Sequence, residues 1–274
     1  MAVMTVAIAG LGAIGLTVAK ALDPTEGHGG IAGLRLVAVS EVDREKAAAA
    51  LAGFAALPEI VGLEELAARA DIVVEALPAA LFERVAVPAL EAGRVFVPCS
   101  VGALLGRMQL VKLAAEKGAR IVVPTGALLG LDAVRACAEG PVESITIETR
   151  KPPGGLAGAP YLVKHNIDVL AVTGPTRVFA GNARDAAAGF PANVNVAAAL
   201  ALAGIGPVRT RVEIWADPGV DRNIHTIRVE SGAARLTMTV EGVPSETNPR
   251  TGKLSPLSVI AALRGLVSTL KVGS

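Results

Sequence analysis

The chain has 274 residues, a formal net charge of +1 and aromatic side chains at only 3% of positions. That length is enough to bury a large core or to build two domains. The near-neutral charge and scarce rings exclude the basic groove and stacking platform of a single-strand nucleic-acid binder, and they give no electrostatic footprint for a duplex or an anionic membrane.

The N-terminal stretch MAVMTVAIAGLGAIGLTVAKAL is apolar, but its first basic residue is Lys20 and glycines at 10, 12 and 15 break it. It therefore lacks the charged head of a secretory signal. No apolar run reaches spanning length, so the mean hydropathy of +0.53 points to a buried parallel sheet. Cys99 and Cys137 have no spacing that suits a metal or a disulfide framework. The expectation is a soluble, cytoplasmic protein without a metal.

In chain order, strands are predicted at Val3–Ala9, Leu34–Ser40, Ile72–Ala76, Val95–Pro98 and Ile121–Pro124. Helices are predicted between them at Ile14–Ala21, Arg44–Leu51, Leu63–Arg69, Leu81–Ala92 and Leu104–Lys117. Strands apolar on both faces and separated by helices form βαβ units and a parallel sheet. After about residue 140 the pattern becomes alternating, at Ser144–Thr149, Thr176–Ala180, Val208–Ala216, Asn223–Glu230 and Arg235–Glu241. Alternation describes a sheet with one covered face, of antiparallel type. A hairpin is expected at SGAA (231–234), a helix over Asn193–Ala203, and a C-terminal helix over Ser255–Leu270 that returns to the first domain.

The fold class is thus α/β, a Rossmann-type first domain (1–124 and 242–274) followed by a mostly antiparallel α+β domain (125–241). Gly10-Leu-Gly12-Ala-Ile-Gly15 lies between a strand and a helix. Gly10 permits the tight turn, Gly12 lets the backbone approach a pyrophosphate, and Gly15 lets the helix lie close to the strand. The amides of Gly12, Ala13 and Ile14 then face the phosphate. Glu41, at the end of the second strand, is the candidate for the ribose hydroxyls and favours NAD; Arg44 could receive a 2′-phosphate and favour NADP. The stretch DPTEGHGG (23–30) lengthens the spacing between the glycines and Glu41.

In an open parallel sheet, ligands lie beyond the carboxyl ends of the strands. Three such ends are candidates, at Leu77-Pro78, at Cys99 to Ala103 and at Thr125 to Gly130. In the second domain, Thr149-Arg150-Lys151-Pro152-Pro153 ends a strand with two adjacent cations, and Phe190-Pro191-Ala192-Asn193-Val194-Asn195 places two amides at a helix start. The chain has three histidines. His28 and His165 have no constellation around them. His225 shares a strand face with Ile227 and Val229, where an ordinary packing histidine also fits; it is the one candidate with a setting for acid/base work near neutral pH.

Seven motifs together resemble the L-aspartate dehydrogenase family: GLGAIG (10–15), SVGALLG (100–106), GALLGLDAV (126–134), TRKPP (149–153), FPANVNVAAALALAG (190–204), NIHTIRVES (223–231) and NPRTGKLSPLS (248–258). The resemblance implies a dinucleotide-binding domain and a catalytic domain that interconvert L-aspartate with oxaloacetate and ammonia through iminoaspartate, using NAD or NADP. In some members this feeds NAD biosynthesis. It places the active-site histidine on His225 and cofactor contacts on Ala127 and Asn195, with Asn193 as the second choice. A cation for the two substrate carboxylates is expected from Arg150 or Lys151, and a homodimer is expected. Two other readings stay open: a two-domain NAD(P)-dependent dehydrogenase for a related amino or hydroxy acid, and a redox sensor that binds NAD without turnover.

Overall fold

The computed structural model describes residues 3–25, 27, 29–246 and 252–273. They divide into two compact units, the first holding the chain up to Ser100, Arg107–Pro124 and Ser255–Val272, the second Val101–Gly106 and Thr125–Leu254. His28 and Glu26 of the 23–30 stretch, and residues 248–251 of the last motif, lie outside the described residues.

In the first unit the order is β1 (Met4–Ala9), α1 (Ala13–Leu22), β2 (Leu34–Ser40), α2 (Arg44–Leu51), β3 (Glu59–Ile60), α3 (Leu66–Arg69), β4 (Ile72–Glu75), α4 (Phe82–Glu91) and β5 (Val95–Pro98). After α5 (Val101–Leu105), which belongs to the second unit, come α6 (Gln109–Lys117) and β6 (Arg120–Ile121). The strands form one parallel sheet ordered β3-β2-β1-β4-β5-β6. Val6, Ile8, Ile72 and Val74 are completely buried, as expected where helices cover both faces of a parallel sheet. Local signals start and stop the helices. Asp43 caps α2 through the Lys46 amide, worth about 1 kcal/mol, and Gly118 ends α6 in the left-handed conformation. The C-terminal helix α11 (Leu254–Val267) adds Val259 and Leu263 to the core that holds Val6, Ile8 and Leu36.

The second unit continues with α7 (Leu131–Ala138), β7 (Val142–Lys151), α8 (Pro160–Lys164), β8 (Thr176–Asn182), α9 (Ala183–Gly189), α10 (Asn195–Ala203), β9 (Thr210–Ala216), β10 (Asn223–Ser231) and β11 (Arg235–Gly242). The sheet order is β11-β10-β7-β9-β8, with β7 and β9 parallel and the other neighbours antiparallel. Alternation along β7 buries Ile145, Ile147, Thr149 and Lys151, while Thr146, Glu148 and Arg150 turn to the other face. The SGAA hairpin is present, closed by the Ser231 amide on the Ala234 carbonyl at 3.1 Å. Helix α10 lies against α5, α7, α9 and β9. Phe190, fully buried and 5.5 Å from the rings of both Tyr161 and Phe179, anchors the chain just before it.

Three expectations need adjustment. The helix expected over Leu104–Lys117 is two helices, broken at Gly106-Arg107-Met108, since glycine strongly disfavours a helix interior. Strand β3 was not anticipated, because two residues show no periodicity. The two units also divide differently from the expected boundaries: Val101–Gly106 and the stretch from 242 to Leu254 group with the second unit. The first follows because α5 lies against α10; the second because β11 runs to Gly242 and Pro244 bridges back to Gly252. Among the described residues, no helix is long and apolar enough to cross a membrane.

Candidate active site

The sheet of the first unit reverses its strand order between β1 and β4, and the glycine loop sits at that reversal. Gly10 has φ +90°, and a Cβ there would lie 2.6 Å from the Ala76 carbonyl oxygen. A Cβ on Gly15 would fall on the Gly10 carbonyl. Gly12 is the N-cap of α1, and nothing lies within 4 Å of where its Cβ would be. The first two glycine-only positions are therefore demanded by the fold, whereas Gly12 leaves a hollow. The amides of Gly12, Ala13 and Ile14 find no acceptor among the described residues. Unsatisfied amides at the head of a ten-residue helix favour an anion, so the residues present fit a dinucleotide pyrophosphate.

Glu41 closes this loop. One carboxylate oxygen accepts the Leu11 amide at 2.8 Å and the other accepts the Val42 amide at 2.9 Å. Arg44 is exposed at the start of α2. A residue not singled out in the sequence, Glu75, ends β4 at the same reversal. It is fully buried and receives the amides of Leu77 (2.8 Å) and Ser100 (2.9 Å). Burial pushes its carboxyl above the usual range, against the pull of the Ser100 and Leu77 hydrogen bonds. Cys99 beside it has its thiol pushed up, first by burial and then by Glu75; it is held in the protonated, unreactive form.

In the second unit the register of β7 and β10 places Thr149 opposite His225. Thr149 Oγ1 lies 3.0 Å from His225 Nδ1. His225 is 3% exposed, and its Nε2 has no partner among the described residues. Lys151, two residues beyond Thr149 on the same face, donates from Nζ to Asn193 Oδ1 at 2.8 Å. Burial alone pushes Lys151 down to about 8. His225 is pushed down to about 3, by burial first and by the Lys151 charge second. The four side chains of Thr149, His225, Lys151 and Asn193 thus form one polar island on an otherwise apolar face, with an imidazole nitrogen and a cation that find no partner carboxylate among the described residues.

The expected cation pair is split by the pleat of β7. Arg150 points to the opposite face, where it donates to Glu148 at 2.7 Å and Asp217 at 3.3 Å and stacks 4.8 Å over the Trp215 ring. Asn195 is the first residue of α10, and its Oδ1 accepts the Gly102 amide at 3.0 Å. Ala127 occupies the turn before α7, half-buried. Asn193 joins Lys151, a different environment from that of Asn195. His165 caps α8 and lies 4.3 Å from the Tyr161 ring, apart from the polar island in sequence and in contacts. Thr149 was quoted in the sequence only as part of a motif; its role needs the β7–β10 register, which no single strand reveals.

The sheet order and the glycine cradle define a nicotinamide-dinucleotide-binding protein of the dehydrogenase class. Residues 10–124 match the model of the homoserine dehydrogenase NAD-binding domain, and residues 132–266 match that of the aspartate dehydrogenase C-terminal domain. The chain is 50% identical to an L-aspartate dehydrogenase of Bradyrhizobium diazoefficiens over 99% of its own length and 94% of the relative's. It is also 50% identical to L-aspartate dehydrogenase 3 of Bordetella bronchiseptica, over 98% and 97%. The crystal structure of aspartate dehydrogenase from Thermotoga maritima superposes with a TM-score of 0.74 at 26% identity, covering 98% of this chain and 99% of that one. The chain belongs to the aspartate dehydrogenase family. A scyllo-inositol dehydrogenase of Lactobacillus casei, solved with NAD(H) and scyllo-inositol, shares the fold alone, with a TM-score of 0.55 at 15% identity over 98% of this chain and 91% of that one.

Proposed function

We propose that the protein is an L-aspartate dehydrogenase, which reversibly converts L-aspartate, a nicotinamide dinucleotide and water to oxaloacetate, ammonia and the reduced dinucleotide through iminoaspartate. The observation that carries this reading is the island of Thr149, His225, Lys151 and Asn193 in a chain half identical to L-aspartate dehydrogenases over nearly its whole length.

A bound nicotinamide supplies the two-electron acceptor. The cradle of Gly10, Gly12, Ala13, Ile14 and Gly15 holds its pyrophosphate, and Ala127 and Asn195 contact the cofactor. Glu41 retains lone pairs beyond the two amides it accepts, so it can take the ribose diol; NAD is favoured over NADP, whose 2′-phosphate a carboxylate repels.

Lys151 binds a substrate carboxylate. It is buried, and among the described residues its Nζ bonds only the neutral Asn193, whereas Arg150 is committed to Glu148 and Asp217. His225 moves the protons. With Nδ1–H donating to Thr149, Nε2 carries the lone pair and accepts a proton from the water that adds to the imine; as the imidazolium it returns a proton to the leaving amine. A ring held at about 3 is a poor base at neutral pH. A dicarboxylate on Lys151 cancels the positive charge that is the second cause of that depression, and places an anion beside the ring. The substrate therefore prepares its own base.

The same reading makes the enzyme a cytoplasmic homodimer that serves pyridine-nucleotide biosynthesis. The outward face of the second unit's sheet, with Trp215, Ile224, Arg228 and Thr239 on it, is the surface proposed for the dimer. A molar mass near that of one chain in light scattering would remove that part.

The activity is tested by incubating the protein with L-aspartate and NAD, then with NADP, while following reduced cofactor and ammonia together. One ammonia per reduced cofactor, faster with NAD, is expected. Reduced cofactor without ammonia contradicts the proposal and favours a hydroxy-acid substrate.

A further inference from the structure

Glu75 is the last residue of β4, in register with Ala9 of β1 and Pro98 of β5, and it is completely buried. Its Oε1 lies 2.8 Å from the Leu77 amide and 2.9 Å from Ser100 Oγ, and its Oε2 lies 2.9 Å from the Ser100 amide. Ser100 Oγ is also 2.8 Å from the Leu77 carbonyl oxygen.

The two contacts of Ser100 Oγ, with Glu75 Oε1 and with the Leu77 carbonyl oxygen, need two hydrogens if both are hydrogen bonds. A carbonyl oxygen only accepts, and a serine hydroxyl has one hydrogen. Given to the Leu77 carbonyl, that hydrogen leaves Ser100 Oγ as an acceptor toward Glu75. The 2.9 Å oxygen–oxygen contact is then a hydrogen bond only if the carboxyl is protonated.

The surroundings agree. Ala9 and Gly10 at the end of β1, Ala76, Leu77 and Pro78 in the following loop, and Pro98 at the end of β5 bring no charge toward it. Cys99 is the titratable neighbour, and it stays a thiol. Glu41, the other acid of the cradle, is bonded to Leu11 and Val42. No cation pairs with Glu75 among the described residues. A buried carboxylate without a cation is strongly disfavoured and takes up a proton instead.

We propose that Glu75 is a positioning residue carried as a neutral carboxylic acid, whose O–H donates to Ser100 and, through Ser100, ties the loops after β4 and β5 into the shape that receives the dinucleotide. The two loops are joined by the run Glu75 O–H to Ser100 Oγ to the Leu77 carbonyl, with the Leu77 and Ser100 amides returning to the same carboxyl. Because the acid is neutral, Glu75 adds no negative charge of its own beside an incoming dinucleotide. Loss of the proton removes one bond of the brace and buries an anion beside an anionic ligand. The consequence for binding rests on the placement of the dinucleotide in this cradle; the protonation itself does not.

The test is an infrared difference spectrum, wild type minus Glu75→Gln, of the cofactor-free protein at pH 7. A carboxylic-acid carbonyl band assigned to Glu75 is expected, vanishing only on alkaline titration. Ser100→Ala removes the acceptor but not the acid, so it shifts that band without abolishing it, and it serves where the glutamine variant does not fold. Over the same titration the NADH Kd of the wild type rises by up to tenfold per pH unit once the acid is lost, while that of Glu75→Gln stays flat. A carboxylate band at pH 7, or the same alkaline weakening in Glu75→Gln, overturns the proposal. An acid band in a protein that binds NADH at no pH leaves the neutral Glu75 in place and overturns the placement of the cofactor instead.

Discussion

Replacing Lys151 by methionine tests the electrostatics of the polar island. The substitution keeps the length of the chain and its burial but removes the charge that depresses His225. Lys151 is two residues beyond the partner of His225 on one strand face, a separation of about 7 Å at the usual strand rise. At an effective permittivity of about 20, two charges about 7 Å apart interact by roughly 2 kcal/mol, equivalent to between one and two pH units. Burial is the larger cause and remains. The ring in Lys151→Met is therefore expected to titrate roughly one to two pH units above its wild-type position of about 3, yet below the ordinary histidine value of about 6.5. Proton NMR of the imidazole Cε1–H reads this directly, because the chain has three histidines and His225→Asn assigns the signal by its loss. Succinate, an unreactive dicarboxylate, should raise the wild-type titration in the same direction and leave that of Lys151→Met unmoved. A His225 titration identical in wild type and Lys151→Met would refute the reasoning.

Other consequences are equally direct. His225→Asn retains NADH binding but is expected to lose roughly 10²–10⁴ in kcat, the usual worth of a positioned acid/base; wild-type turnover across the pH range would remove His225 from the proton path. Gly12→Ser fills the hollow while improving the N-cap of α1, so Tm should hold and NADH affinity should fall at least tenfold. Gly15→Ala drives a methyl group onto the Gly10 carbonyl and should cost about 1–3 kcal/mol of stability. Equal Tm for the two glycine variants would contradict this division of labour. Acid stability carries a sign. His225 gains its proton near 6.5 in the unfolded chain and only near 3 in the folded one. The unfolded state binds more protons between those values, so stability falls as pH drops from about 6.5 toward 3, by up to ~1.4 kcal/mol per pH unit. Urea unfolding of His225→Asn over that window should show a shallower loss, and an unchanged slope would contradict the burial of a neutral ring.

The fold was legible in periodicity. Strands such as Ile72–Glu75, whose first three residues are apolar on both faces, and strands such as Thr210–Ala216, alternating, belong to two different environments, and that contrast is written in single residues. The glycine loop was legible because Gly10 and Gly15 answer steric demands of the fold while Gly12 leaves room for a ligand. The break at Gly106 was missed because apolar spacing continues across it, and β3 because its two residues are too few for a period. Around the polar island, the sequence indicated His225 and the two cations but not which cation shares its face. That choice rests on the pleat of β7, which turns Lys151 in and Arg150 out. Thr149 and Glu75 depend on pairings between strands far apart in the chain, with Thr149 facing His225 76 residues away and Glu75 reaching Ser100 25 residues on. Side-chain partners of that kind are products of register and are invisible to local spacing.

The measurement that bears most directly on the proposed reaction is NADH oxidation with oxaloacetate, run with and without ammonium. Oxidation that requires ammonium, with L-aspartate as the product, is the predicted result. Equal oxidation without ammonium would contradict an amino-acid dehydrogenase and assign the chain to a hydroxy-acid substrate.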